Sequence, residues 1–142
     1  MTHASRDTTT GLKFEKQTIL HKEGLDLTKN KLYLYLKERG IIWNSIVSRK
    51  LLPDEAYYDG NTLWVYEKKY QQTEGSADEK PQTCAFKIWE YRKIGAAIGA
   101  KDVKYIYIFN DWFKKPKYKD MLDFIRSNAG CDYYFANELE GV

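Results

Sequence analysis

Histidine and cysteine are scarce in this chain, two of each in 142 residues, and that scarcity removes whole classes of chemistry. His3, His21, Cys84 and Cys131 offer no zinc-ligand spacing. Two cysteines make no disulfide framework, so free, mostly buried thiols in a reducing compartment are expected. No apolar run approaches the length that spans a bilayer, and the polar N-terminus lacks the apolar core of a signal peptide. These absences predict no membrane partner and a cytoplasmic location. The Gly-x-Gly-x-x-Gly, P-loop and nucleophile-elbow patterns are missing too, which removes the usual nucleotide and hydrolase readings. No internal repeat is visible, and the net charge is only +3. So mild an excess permits a local basic patch without demanding a nucleic-acid partner.

What the chain does contain is apolar and aromatic material, 43% and 15% of its residues, enough for a folded core. Its length suits one domain. Residues 1–11 are polar and read as a flexible tail, leaving 12–142 as the single domain. Residues 12–20 alternate weakly, as an edge strand or the lead into a helix. Asp26 or Thr28 is placed to cap a helix over 30–39, which Gly40 ends. Residues 41–47, apolar and β-branched, predict a strand. After a polar loop over 73–81, Pro81 opens a helix over 82–98 with Phe86, Trp89, Ile94 and Ala97 near one stripe. A strand over 103–110 follows, then a helix over 118–128 with Met121, Leu122, Phe124 and Ile125 inward, then a strand over 131–135. A helix crossing between strands normally joins parallel ones, so the expected class is α/β, a mixed central sheet flanked by helices.

Residues 51–71 organise the rest. They read as two strands joined at Asp59-Gly60-Asn61-Thr62, with Gly then Asn at the centre, the type II′ choice. Counting outward from Gly60 and Asn61 pairs Tyr58 with Leu63, Tyr57 with Trp64, Ala56 with Val65, Glu55 with Tyr66 and Asp54 with Glu67. Opposed residues share a face, and alternation adds Lys69 to the face of Asp54 and Glu67. Two carboxylates side by side repel. Either the edge is wet and they splay apart, with Lys69 in a surface ion pair, or a divalent cation such as Mg²⁺ sits between hard oxygen ligands. A slip of one residue in register would move Asp54 to the other face.

Pro53-Asp54 followed by Glu67-Lys68-Lys69 resembles the signature of the PD-(D/E)XK nuclease superfamily. The continuation is also similar to small restriction-endonuclease-like members: Gln71, then Gly75-Ser76 with Asp78-Glu79-Lys80, then Gln82-Thr83-Cys84 with Phe86-Lys87, and Tyr91 in the next helix. The resemblance covers most of the chain after the first dozen residues. It implies an αβββαβ core and a metal-dependent nuclease hydrolysing phosphodiester bonds, with DNA as the expected substrate. It further implies Mg²⁺, for which Mn²⁺ can substitute, held by Asp54, Glu67 and the backbone carbonyl of Lys68, with Lys69 beside the attacking water. Glu38, on the first helix, is a candidate further ligand or a plain surface residue.

Further candidates for nucleic-acid contact are Gln71, two residues beyond Lys69 on the same face, and Gln82 and Lys87 at the start of the following helix. Residues 110–120 interleave Lys114, Lys115, Lys117 and Lys119 with three aromatics. The lysines suit phosphates; Trp112 and Phe113 either stack on bases or anchor a loop over the core. A homodimer is a further expectation, because one site cuts one strand. The alternative function is a catalytically silent nucleic-acid-binding or assembly subunit that keeps the fold.

Overall fold

The central hairpin is closed by one carboxylate and one glycine. In the computed structural model, which describes residues 23–73 and 80–139, Gly60 has φ +92°, a value that L side chains strain to adopt. Asp59 Oδ1 accepts the backbone N–H groups of Thr62 at 2.7 Å and Asn61 at 2.9 Å, and Oδ2 accepts the Trp64 indole N–H at 3.1 Å. These bonds, the one from Thr62 foremost, hold the Asp59 carboxyl below the usual carboxylate range. The turn joins β2 (Glu55–Tyr58) to β3 (Thr62–Lys69). Their register is Glu55 with Tyr66, Ala56 with Val65, Tyr57 with Trp64 and Tyr58 with Leu63, as outward counting from the turn requires.

Around this hairpin runs a five-stranded mixed sheet in the order β1-β2-β3-β4-β5. The short β1 (Leu25–Asp26) pairs antiparallel with β2. On the other side β4 (Asp102–Phe109) is parallel to β3, and β5 (Cys131–Phe135) is parallel to β4. Each parallel step is bridged by a helix, α2 (Cys84–Ile98) between β3 and β4, and α3 (Lys119–Ser127) between β4 and β5. The first helix, α1 (Lys31–Glu38), lies between β1 and β2 in the chain. Among the described residues no helix is long and apolar enough to cross a membrane.

The principal core joins Leu63 and Val65 of β3 and Val103, Tyr105, Tyr107 and Phe109 of β4 to Ile88, Tyr91 and Ile94 of α2 and Ile125 of α3. The opposite face of the sheet buries Tyr57, Tyr66, Ile106 and Ile108. Strand β4 is therefore apolar on both faces, as a central strand must be.

Five expectations fail here, for identifiable reasons. Residues 41–47 form no strand; they contain a single 3-10 turn, Trp43–Ser45. The Ile42 carbonyl accepts both the N–H and the hydroxyl of Ser45, and the outer edge of β2 is already paired to β1. Local turn bonding thus overrides β-propensity, which is a weak preference that context decides. The consecutive three-strand run of the expected αβββαβ order is thus absent, and β1 precedes α1. Asp26 caps nothing: it lies in β1, accepting the Thr28 N–H at 2.9 Å and Lys31 Nζ at 2.8 Å. The N-cap of α1 is Asn30, without a side-chain bond.

On α2 the buried face is Cys84, Ile88, Tyr91, Ile94, Gly95 and Ile98, while Phe86 and Trp89 are 52% and 53% exposed and Ala97 is exposed. Small residues at 84 and 95 let the helix sit close to the sheet, so the stripe that contains them wins over larger aromatics. Phe124 of α3 is likewise exposed, beside buried Met121 and Ile125. The expectations for residues 1–20 lie outside the described residues.

Lys68 points away from the principal core, as alternation requires. Its ammonium lies 2.5 Å from Glu55 Oε2, both side chains almost fully buried, and the Tyr57 hydroxyl bonds the same carboxylate. Lys68→Ala leaves Glu55 buried without that countercharge. Urea denaturation is expected to show a loss of about 3 kcal/mol or more. Replacing both partners together, Glu55→Leu with Lys68→Met, should restore most of it. A Lys68→Ala protein as stable as wild type would show that the pair carries no weight.

Candidate active site

Asp54 stands one residue ahead of β2, and the hairpin register carries it to Glu67 of β3. Asp54 Oδ2 accepts the backbone N–H of Lys68 at 2.8 Å, which ties the carboxylate to the strand that bears its partner. Both side chains are half-buried. The Glu67 carboxyl is pushed up to about 8, first by removal from water, then by the charge of Asp54 and a hydrogen bond with it; Lys69 and Lys87 pull the other way. The two carboxyl groups therefore meet in a partly dry setting and hold a proton at neutral pH. This is the repulsion anticipated from the sequence.

Glu67 and Lys69 line a cleft of about 460 Å³ that Lys87 and Tyr91 of α2 border as well. Tyr107 sits beside Glu67 in the parallel register, and Tyr105 beside Val65. Burial, aided by the charge of Glu67, pushes the Tyr91, Tyr105 and Tyr107 hydroxyls up, so all three stay neutral. The Tyr107 hydroxyl bonds with Tyr105 and Thr83, giving the cleft a hydroxyl-lined floor. Lys87 Nζ is 3.8 Å from buried Glu90 Oε1, one turn further along α2. The cleft also includes Arg49 and Lys50.

The other candidates are distributed as follows. The Lys68 side chain is on the far face, so only its backbone can serve this site. Gln71 has its backbone bracketed by the Asn110 amide, which accepts the Gln71 N–H at 3.2 Å and donates to the Gln71 carbonyl at 2.7 Å. Its own side chain donates to the Thr73 carbonyl, and Gln71 does not line the cleft. Gln82 is exposed in the 3-10 turn before α2, and Glu38 is exposed in the last turn of α1; neither lines the cleft. Among the described residues no group of three or more His, Cys, Asp or Glu side chains is arranged to hold a metal, so Glu38 does not complete a carboxylate triad.

Residues 111–118 form two 3-10 turns past the end of β4. Phe113 is fully buried, and the Trp112 indole donates to the Tyr118 hydroxyl at 2.7 Å, so these aromatics anchor the loop over the core. Lys114 pairs with Asp111 at 3.1 Å and Lys119 with Asp123 at 2.7 Å. Lys115 lies 3.2 Å from the centre of the Trp112 ring, and Lys117 5.8 Å from it.

No protein-family model, characterised protein or solved structure matches the chain. The site therefore stands on its geometry. Sequence reasoning missed Arg49, Lys50, Tyr105 and Tyr107. The signals were present, a basic pair just ahead of Pro53-Asp54 and the alternation within 103–110.

Because the folded state keeps a proton on Glu67 that the unfolded chain releases, metal-free stability falls as pH rises from 4.5 to about 8. Glu67→Gln removes that penalty. In chelator at pH 8 the variant should melt roughly 5 °C or more above wild type, with the difference gone near pH 4. Parallel melting curves across the whole range would mean that the two carboxyl groups do not interact.

Proposed function

We propose that this protein is a metal-dependent nuclease that hydrolyses phosphodiester bonds in DNA, with a restriction-endonuclease-like site. The observation that carries the reading is the partly dry contact of Asp54 with Glu67, where Glu67 and Lys69 line the cleft and Asp54 stands behind Glu67, outside the lining. Two adjoining carboxylates are hard oxygen donors whose mutual repulsion a divalent cation relieves. Asp54 and Glu67, with the Lys68 backbone carbonyl, would hold Mg²⁺ or Mn²⁺. Such an ion supplies positive charge to the phosphoryl oxygens and makes water a better nucleophile.

The chain's own groups supply the rest. Lys69 presents a compact positive charge to the scissile phosphate, an interaction strongest as charge develops in the transition state. Lys87 stands ready for a non-bridging phosphate oxygen from α2. In the reaction the water oxygen forms a bond to phosphorus, the bond to the leaving sugar oxygen breaks, and that oxygen takes up a proton. Lys115, beside the Trp112 ring past β4, is a further cation that phosphates outside the cleft would meet. A second copy of the chain would be required to cut both strands of a duplex at once.

Wild-type protein is expected to nick supercoiled plasmid in Mg²⁺ or Mn²⁺ and not in chelator. Asp54→Asn and Glu67→Gln should abolish nicking. Lys69→Ala should lower the single-turnover rate roughly 10²-fold while a gel shift in Ca²⁺ persists, because the lost contact acts mainly in the transition state. A wild-type protein that shifts DNA in Ca²⁺ but never nicks is instead a silent binding subunit. A Lys69→Ala protein that cuts at the normal rate removes Lys69 from the mechanism.

A further inference from the structure

Two of the cations in the cleft belong to no motif. Arg49 and Lys50 precede Pro53-Asp54 and line the same cleft as Glu67, Lys69 and Lys87. Their segment is held in place from behind. The Tyr33 hydroxyl of α1 accepts the Leu51 backbone N–H and donates to the Leu51 carbonyl at 2.6 Å, so the lead-in to β2 is pinned to the helix at the next residue. Lys50 Nζ lies 5.1 Å from the centre of the Tyr33 ring and 5.6 Å from that of Trp43, a cation–π seat that orders the side chain. Lys50 nonetheless remains exposed, as does Arg49. Neither has a carboxylate within ion-pair distance among the described residues, whereas Lys31, Lys104, Lys114, Lys119 and Arg126 each have one. Among the described residues Glu67 is the single carboxylate in the lining.

We propose that Arg49 and Lys50 form a phosphate clamp, gripping the nucleic-acid backbone at a phosphate that flanks the one over Glu67. The guanidinium fork matches two oxygens of one phosphate, and the ammonium adds a point charge beside it. Contacts of this kind fix the strand in the cleft without reading bases, so the clamp predicts affinity that is indifferent to sequence and steeply dependent on salt. Because the clamp takes a phosphate flanking the one over Glu67, the ligand it predicts is a chain of at least two linked phosphates. The assignment of the second phosphate to the acid pair rests on the nuclease reading. The grip itself does not.

The test is binding of a short fluorescently labelled DNA duplex in Ca²⁺ across a salt series, for wild type, Arg49→Ala with Lys50→Ala, and Arg49→Lys. Both side chains are exposed, and an unchanged melting temperature confirms the fold. The double variant should bind at least tenfold more weakly at low salt. Its plot of log affinity against log salt should be shallower by between about one and two, the loss expected for one or two phosphate contacts. Arg49→Lys should recover most of the slope. A well-folded double variant with the wild-type slope overturns the clamp. Plasmid nicking in Mg²⁺ judges the nuclease reading separately: a wild type that nicks while the slope is unmoved loses only the clamp. One that never nicks while the slope falls loses only the nuclease. A wild type that neither binds nor nicks loses both.

Discussion

The Asp59 carboxylate, accepting two backbone N–H groups and an indole across the Gly60 turn, locks the pairing of β2 with β3. From that closure outward the register runs without a bulge to Glu55 and Tyr66, and one step further it brings Asp54 to Glu67. A slip of one residue would send Asp54 to the far face and separate the acids. The turn lies at the far end of β3 from Glu67, yet the two acids adjoin only because the count between them is kept.

Alternation then divides the charges of β3 between two environments. Lys68 is neutralised within the fold by Glu55, almost out of contact with water, and such a pair contributes to structure only while both members remain. Its neighbours Glu67 and Lys69 face the cleft, where the acid is left against another acid. One strand thus carries a satisfied ion pair on one face and, on the other, an unsatisfied pair of acids. The unsatisfied one is the feature a fold alone would not keep, since like charges at cross-strand distance destabilise.

The parallel half of the sheet determines where the cleft can be. Glu67 and Lys69 fall toward the carboxyl end of β3, beside Tyr107 and Phe109 of β4, and ligands of open α/β sheets bind outside the carboxyl ends of their strands. Helix α2 crosses back over this end and brings Lys87 and Tyr91 to the opening. The lead-in to β2, fixed by Tyr33, contributes Arg49 and Lys50 from another direction. Elements distant in the chain converge there through packing.

By itself the sequence determined what is short-range: the Gly60-Asn61 turn and its register, the spans of α1, α2 and α3 to within about two residues, strands β4 and β5, and the shared face of Asp54, Glu67 and Lys69. Turn chemistry, helix breakers and the two-residue period act between near neighbours and need no knowledge of the rest of the fold. Only the tertiary structure decided that residues 41–47 would close a 3-10 turn, with β1 rather than this segment beside β2. It alone turned Phe86 and Trp89 outward, since close approach of α2 to the sheet favoured the stripe with Cys84 and Gly95. It alone carried Arg49 and Lys50 into the cleft, through a helix hydroxyl that holds the Leu51 backbone eighteen residues further on. Each of those outcomes depends on which surface happens to be free or near after the chain has folded, and no local pattern of residues carries that information.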